Sequence, residues 1–334
     1  MDLRFGVVIR YIGFVQLVLA AFMLLSAGIA YVSDMDTSYS PLVMSSLLTL
    51  LLGCFPLIFV PPTNNISQKE GYCIVVGAWV VSSIVGMFPY LMWGGEFSVI
   101  NAWFESVSGY TATGATILND IENLPQGLLF YRTSSNWLGG VGIVMFALVI
   151  LPSLGASKMA LSNVELSSLA KDNYRYRTQI IVRILLIVYV GLTIATTVAL
   201  KCAGLRWFDA LNHAMSACAT AGFSTKNTSI AFYDNLSVEL ILAAAMLISS
   251  LHFGLIYATF IRKGNNIFRS EVVRTYLAIV VLATLLVTMS IYGANIYPSI
   301  WESLRHSFFQ VVALITTTGF STADTNLWTP FAIV

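Results

Sequence analysis

Charge is what this sequence has least of: Asp, Glu, Lys and Arg make up 10% of its 334 residues, against about 25% in a typical soluble domain. A surface that poor in charge excludes an ordinary water-soluble globular protein. Cysteine is also scarce. The four present (Cys54, Cys73, Cys202 and Cys218) show no CxxC spacing and no histidine pairing, which argues against a disulfide framework or a zinc site. They read as small buried apolar side chains. No basic run extends beyond a short cluster at 171–183 and the net charge is +1, so nucleic acid is not an expected partner. The sequence has no HExxH, no P-loop and no Ser/His/Asp set, so neither an enzyme nor a covalently bound cofactor is expected.

What is plentiful is apolar surface, at 57% of residues with a mean hydropathy of +0.80. Apolar stretches of roughly 20 residues, the length needed to cross a ~30 Å hydrocarbon core, recur throughout. The expected spans are 6–32, 41–60, 71–93, 124–151, 179–203, 236–261 and 272–294, with a further one opening near Trp328. The first is too long for the 7–15-residue core of a secretory signal and reads as a retained helix.

Basic residues set the orientation. With a cytoplasmic N-terminus, twelve of the seventeen Lys and Arg residues lie inside, among them Arg4, Arg10, Lys69, Lys171, Arg183 and Arg274. Eleven of the sixteen acids lie outside, including Asp34, Asp120, Glu122 and Asp324. The positive-inside rule therefore predicts a multi-pass membrane protein with its N-terminus in the cytoplasm and an acidic, cation-concentrating outer face.

Three segments of the outer connections repeat in register: Thr111-Ala112-Thr113-Gly114, Ala219-Thr220-Ala221-Gly222 and Thr316-Thr317-Thr318-Gly319. Their glycines stand 108 and 97 residues apart. Six places before each glycine is a small residue (Ser108, Ser216, Ala313), and two places after it a hydroxylic one (Thr116, Ser224, Ser321). Nine places before it are Glu105, His213 and Gln310, polar but chemically different. The unit is helix, re-entrant loop, helix. Irregular backbone at membrane depth is tolerated only where it is buried or lines a water-filled cavity, and a ring of backbone carbonyls can replace a cation's hydration shell. Glycine permits the positive φ that turns carbonyls toward the ion. The short segments 99–108 and 208–216 would be half-membrane helices whose C-terminal dipole ends favour cations.

These blocks resemble the pore loops of the Trk/Ktr/HKT superfamily of potassium transporters, as does the segment 132–143 following the first loop. The N-terminal helix pair without a loop between its members matches the Trk-type members. The resemblance implies an all-α integral membrane fold: a helix pair (1–66), a first repeat (67–157), a second (158–265) and a third, incomplete one (266–334). It implies potassium uptake through the bacterial inner membrane, with Thr111 to Gly114, Ala219 to Gly222 and Thr316 to Gly319 binding the ion. It further implies a homodimer, a cytoplasmic nucleotide-binding regulatory subunit and contact with membrane lipid. Sodium conduction or sodium-coupled symport stays open, because Ala219 and Ala221 replace two threonines of the pattern. A period of about 100 residues puts a fourth glycine beyond Val334. The sequence is accordingly expected to be a fragment carrying about two and a half of four repeats, for which a non-conducting membrane scaffold is the alternative.

Several other residues have two readings each. Gly139, Gly140 and Gly142 suit a gate or close helix packing. His252 is a cavity candidate or an interhelical hydrogen-bonding residue. The basic stretch 162–183 fits a regulatory partner or lipid headgroups. Arg132, near the outer end of a span, either pairs with an acid or snorkels.

Overall fold

The computed structural model describes residues 3–63, 67–154, 174–251 and 270–333. Among these there is no strand, and the helices fall into two compact units. One unit comprises residues 1–111, 115–118 and 123–183; the other comprises 112–114, 119–122 and 184–334.

In the first unit, α1 (Phe5–Val32) and α2 (Tyr39–Phe59) form the expected N-terminal pair. The 28 residues of α1 reach about 42 Å at 1.5 Å per residue, enough to cross a bilayer. The pair buries small polar residues among apolar ones and turns large apolar side chains outward. Ser26, Ser45, Ser46 and Thr49 are fully buried, while Leu51 and Ile58 are 65% and 76% exposed. Small hydroxyls suit a helix interface in lipid, because they pack closely and find backbone acceptors: Ser46 Oγ donates to Ala20 O at 2.9 Å, and Thr49 Oγ1 to Ser45 O at 2.7 Å.

The two helices approach closely at Gly13 and Gly53. A Cβ on Gly13 would lie 2.7 Å from Gly53 O and 2.8 Å from Pro56 Cγ. Gly13→Val is therefore expected to push the pair apart and destabilise the protein by about 1–3 kcal/mol, the usual range for overpacking. Thermal melting in detergent checks this, with Gly28→Ala as the control, since a Cβ there meets nothing within 4 Å.

The expected span 71–93 is not one helix. It divides into α3 (Gln68–Gly86) and α4 (Phe88–Trp93). Pro89 is the reason: it cannot donate the amide that would continue the helical ladder, but it is tolerated in a first turn. The start of α3 is closed by a capping box between Ser67 and Glu70, and Glu70 is also held by Arg4 at 2.7 Å. Then follow the short α5 (Val99–Tyr110) and the long α6 (Gln126–Leu154), which covers the expected span 124–151.

The helix α7 (Tyr174–Cys202) leads into the second unit, which contains α8 (Trp207–Cys218), α9 (Leu236–Ser249), α10 (Glu271–Gly293), α11 (Ile300–Ile315) and α12 (Pro330–Ile333). Its core is aliphatic and aromatic, with Ile230, Leu242, Met246, Phe309 and Phe320 wholly or almost wholly buried. The expected span 236–261 is helical through Ser249, and its remainder from His252 onward lies outside the described residues. So do most of the basic stretch 162–183 and the boundaries expected near 157 and 265.

Candidate functional site

Three helices are too short to cross a bilayer, and each leads into one of the repeated loops. α5 and α8 have 12 residues each and α11 has 16, or about 18 to 24 Å. α5 and α11 begin with serine caps: Ser98 Oγ accepts from Asn101 N, and Ser299 Oγ from Glu302 N. All three end the same way. The residue two places before the loop glycine has positive φ in every loop, namely Ala112 (51°), Thr220 (49°) and Thr317 (59°). The glycines follow suit, with Gly114 at 74°, Gly222 at 92° and Gly319 at 79°.

In the second and third loops the first of these residues closes a Schellman motif at the helix C-terminus. Thr220 N donates to Ala217 O at 3.1 Å and Ala221 N to Ser216 O at 3.0 Å. Thr317 N donates to Leu314 O at 2.9 Å, and Thr318 N and Gly319 N to Ala313 O at 2.8 and 3.1 Å. Glycine normally fills this left-handed position, because a Cβ there costs about 1–2 kcal/mol. Alanine or threonine fills it here, which is why it cannot be read from the sequence.

The backbone between these points has a direction. Where residues alternate between left- and right-handed regions, successive N–H groups fall on one side and carbonyls on the other. The amides of Thr220, Ala221, Thr317, Thr318 and Gly319 turn back onto their own helix, so the carbonyls of the residues before them, in the same planar peptide units, are directed away from it. The loops also interlock. A Cβ on Gly114 would collide with the carbonyl of Ala221, and one on Gly222 with the carbonyl of Thr318. Each glycine thus seats the oxygen of the residue before the next loop's glycine. A Cβ on Gly319 would meet nothing within 4 Å.

The hydroxyls at the start of the loops face their helices. Thr111 Oγ1 donates to Val107 O at 2.7 Å and Thr316 Oγ1 to Val312 O at 2.8 Å. Thr318 Oγ1 lies 2.8 Å from Thr316 Oγ1. Outside the loops, the side chain of Asn227 joins two outer connections: its Oδ1 accepts from Ile121 N at 2.6 Å and its Nδ2 donates to Asp120 Oδ1 at 3.0 Å. Lys226 pairs with Glu122 at 3.1 Å and lies over the Phe232 ring. A second tie runs from Ile230 N and Ala231 N to Ser321 O, both at 3.1 Å. Neither tie was legible in the sequence, since nothing about an isolated Asn or Ser announces a partner about 100 residues away.

α6 runs without a break through Gly139, Gly140 and Gly142. At Gly139 it lies against the backbone of Tyr110 and Gly109, so a side chain there would strike their carbonyls. A Cβ on Gly142 would lie 3.3 Å from Trp79 Nε1. These contacts are what close helix packing requires. Arg132 does not snorkel: it is fully buried and pairs with Glu105 at 2.7 Å. His252 lies outside the described residues.

An all-helical membrane protein built from helix, re-entrant loop and helix, with glycine-seated loops packed side by side, is the class that this fold defines. The chain belongs to the TrkH family of cation transport proteins, whose profile matches residues 56–334. That is a transporter family, not an enzyme family. The Trk system potassium uptake protein TrkH of Halomonas elongata is 34% identical over 287 residues, covering 84% of this chain and 59% of its own length. That of Salmonella typhimurium is 35% identical over 271 residues, covering 80% and 56%. Its counterpart from Vibrio parahaemolyticus is 32% identical, covering 98% and 69%. The crystal structure of the potassium transporter TrkH from Vibrio parahaemolyticus superposes with a TM-score of 0.87 at 29% identity, covering 99% of this chain and 68% of that one. The chain thus spans less than two thirds of the length of the Halomonas and Salmonella relatives.

Proposed function

We propose that this chain provides potassium-selective loops of an uptake path across the bacterial inner membrane, with its N-terminus in the cytoplasm. The observation that carries this reading is the backbone shared by the three loops. Positive φ at the glycine and two places before it is common to all three, and in the second and third loops the carbonyls of Ala219, Thr220, Thr316, Thr317 and Thr318 are directed away from their helices. Backbone carbonyls grouped in this way are of the kind that replaces a cation's hydration shell. Each loop starts at the C-terminal dipole end of its own helix, which adds negative potential there. The potassium uptake proteins that the chain resembles support potassium as the ion. On this reading the repeats are 67–157, 158–265 and 266–334 after a helix pair at 1–66. The homodimer and the nucleotide-binding regulatory subunit are carried over from the family resemblance. Gly139 and Gly142 serve as packing points between α6 and its neighbours.

The test is radioactive rubidium uptake into vesicles containing the protein expressed from its intact gene. Potassium is expected to compete better than sodium by at least about tenfold, a difference of about 1.4 kcal/mol. Equal competition would replace potassium selectivity with general cation conduction. Rubidium uptake that needs a sodium gradient would establish symport. No uptake above empty vesicles would leave the scaffold reading.

A further inference from the structure

A buried ion pair at membrane depth is expensive unless its remaining lone pairs and protons are all engaged. Glu105 and Arg132 are both fully buried, joined at 2.7 Å through Nη2 and through Nε. What Glu105 does with its other lone pairs is the informative point. Its Oε1 and Oε2 accept from Thr116 Oγ1 at 3.0 and 3.1 Å, and Oε2 also accepts from Ile117 N at 3.3 Å. Arg132 Nη2 reaches the same hydroxyl at 3.3 Å. Ser108 Oγ donates to Ala115 O at 2.6 Å. The strand leaving the first loop glycine is therefore gripped at three consecutive residues by α5 and α6.

The second loop has the same link between the same two positions, made with different chemistry. His213, nine places before Gly222, bonds through Nε2 to Ser224 Oγ, two places after it, at 2.9 Å. Its Nδ1 lies 2.7 Å from Asp209 O, which can only accept, so Nδ1 carries the proton. In the neutral ring Nε2 then accepts from the serine hydroxyl. That hydroxyl oxygen in turn accepts from Lys226 N at 3.0 Å. Next door, Thr225 Oγ1 donates to Asp209 Oδ1 at 2.8 Å. Asp209, His213 and Ser224 are all buried. The third loop departs from the pattern: the Ser321 amide donates to Ser229 Oγ at 3.3 Å, and its carbonyl accepts from Ile230 N and Ala231 N.

We propose that Glu105 and His213 are positioning residues for ion discrimination, each fixing its own loop strand through the hydroxyl two places after the loop glycine. The inference rests on the reading of the loops as ion-binding and adds what holds them in register. A binding constellation needs its oxygens held to within about 0.5 Å, which loops achieve only when supported from behind. The first link is charge-assisted and the second neutral, so the first is the stiffer.

Thr116 allows a test that leaves the buried ion pair intact. Thr116→Val removes the hydroxyl at nearly constant shape, whereas Thr116→Ser keeps the hydroxyl and removes a methyl. If the hydrogen bond positions the strand, T116V lowers the potassium-over-sodium uptake ratio about tenfold and T116S changes it less than about twofold. A packing role would give the reverse order. Ser224→Ala is expected to act in the same direction by a smaller factor, about threefold. Hydrogen exchange at Ile117, read by mass spectrometry, is expected to rise in T116V and not in T116S. Wild-type discrimination that survives T116V intact overturns the inference while the ion-binding reading stands. Wild-type protein that transports without discrimination overturns that reading instead. The exchange data then decide the inference, and equal exchange in T116V and T116S overturns it.

Discussion

Gly222→Ala is expected to abolish selective rubidium uptake, reducing it at least about 100-fold, or roughly 3 kcal/mol in transport terms. Two costs coincide at this residue. Its φ of 92° lies where L-residues are strained, typically by about 1–3 kcal/mol. The new methyl would also occupy the site of the Thr318 carbonyl, and neither backbone can yield without moving a neighbouring loop. Vesicle uptake compared with the amount of inserted protein checks this. Gly222→Ala with normal selective uptake would contradict the interlock.

The second large effect is expected at the buried ion pair. Arg132→Met or Glu105→Leu alone leaves one charge stranded in an apolar interior, and each is expected to destabilise the protein by about 3–5 kcal/mol. The double variant removes both charges and is expected to recover most of that loss, because a well-packed apolar pair often equals a buried salt bridge. Recovery of stability should not bring recovery of discrimination, since Thr116 and Ile117 would still have lost their acceptor on α5. Thermal melting in detergent and vesicle uptake, measured on the same four proteins, separate the two roles. If the double variant discriminates as well as the wild type, the carboxylate is only a structural counter-ion.

How much of this was legible in the sequence depends on the range of the interaction. The N-terminal pair and the spans at 71–93, 179–203 and 272–294 are written in apolar runs whose length the bilayer dictates, and helices long and apolar enough to cross a membrane lie there. The run at 71–93 is likewise one candidate span, and the break at Met87 within it follows from Pro89, an equally local signal. The loops were visible because three glycines recur in register. Their left-handed partners Ala112, Thr220 and Thr317 were not, because the residue types there argue against positive φ and only the helix end enforces it. Glu105, His213, Thr116 and Ser224 each stood out by register. Their pairing did not, since eleven residues of separation bridge only when a helix ends and the chain doubles back. For Arg132 the sequence admits both snorkelling and pairing, and only its folded neighbour Glu105 decides. The ties made by Asn227 and by Ser229 with Ser321 join repeats about 100 residues apart and leave no local trace.

The central claim is that a potassium-like ion meets backbone carbonyls of the three loops, and anomalous X-ray scattering from rubidium tests it most directly. Crystals of the protein grown in rubidium in place of potassium are expected to show an anomalous peak among the backbone carbonyls of residues 112–114, 219–222 and 316–319, weakened in Gly222→Ala. Rubidium bound elsewhere, or no peak at these carbonyls in protein that takes up rubidium selectively, would contradict it.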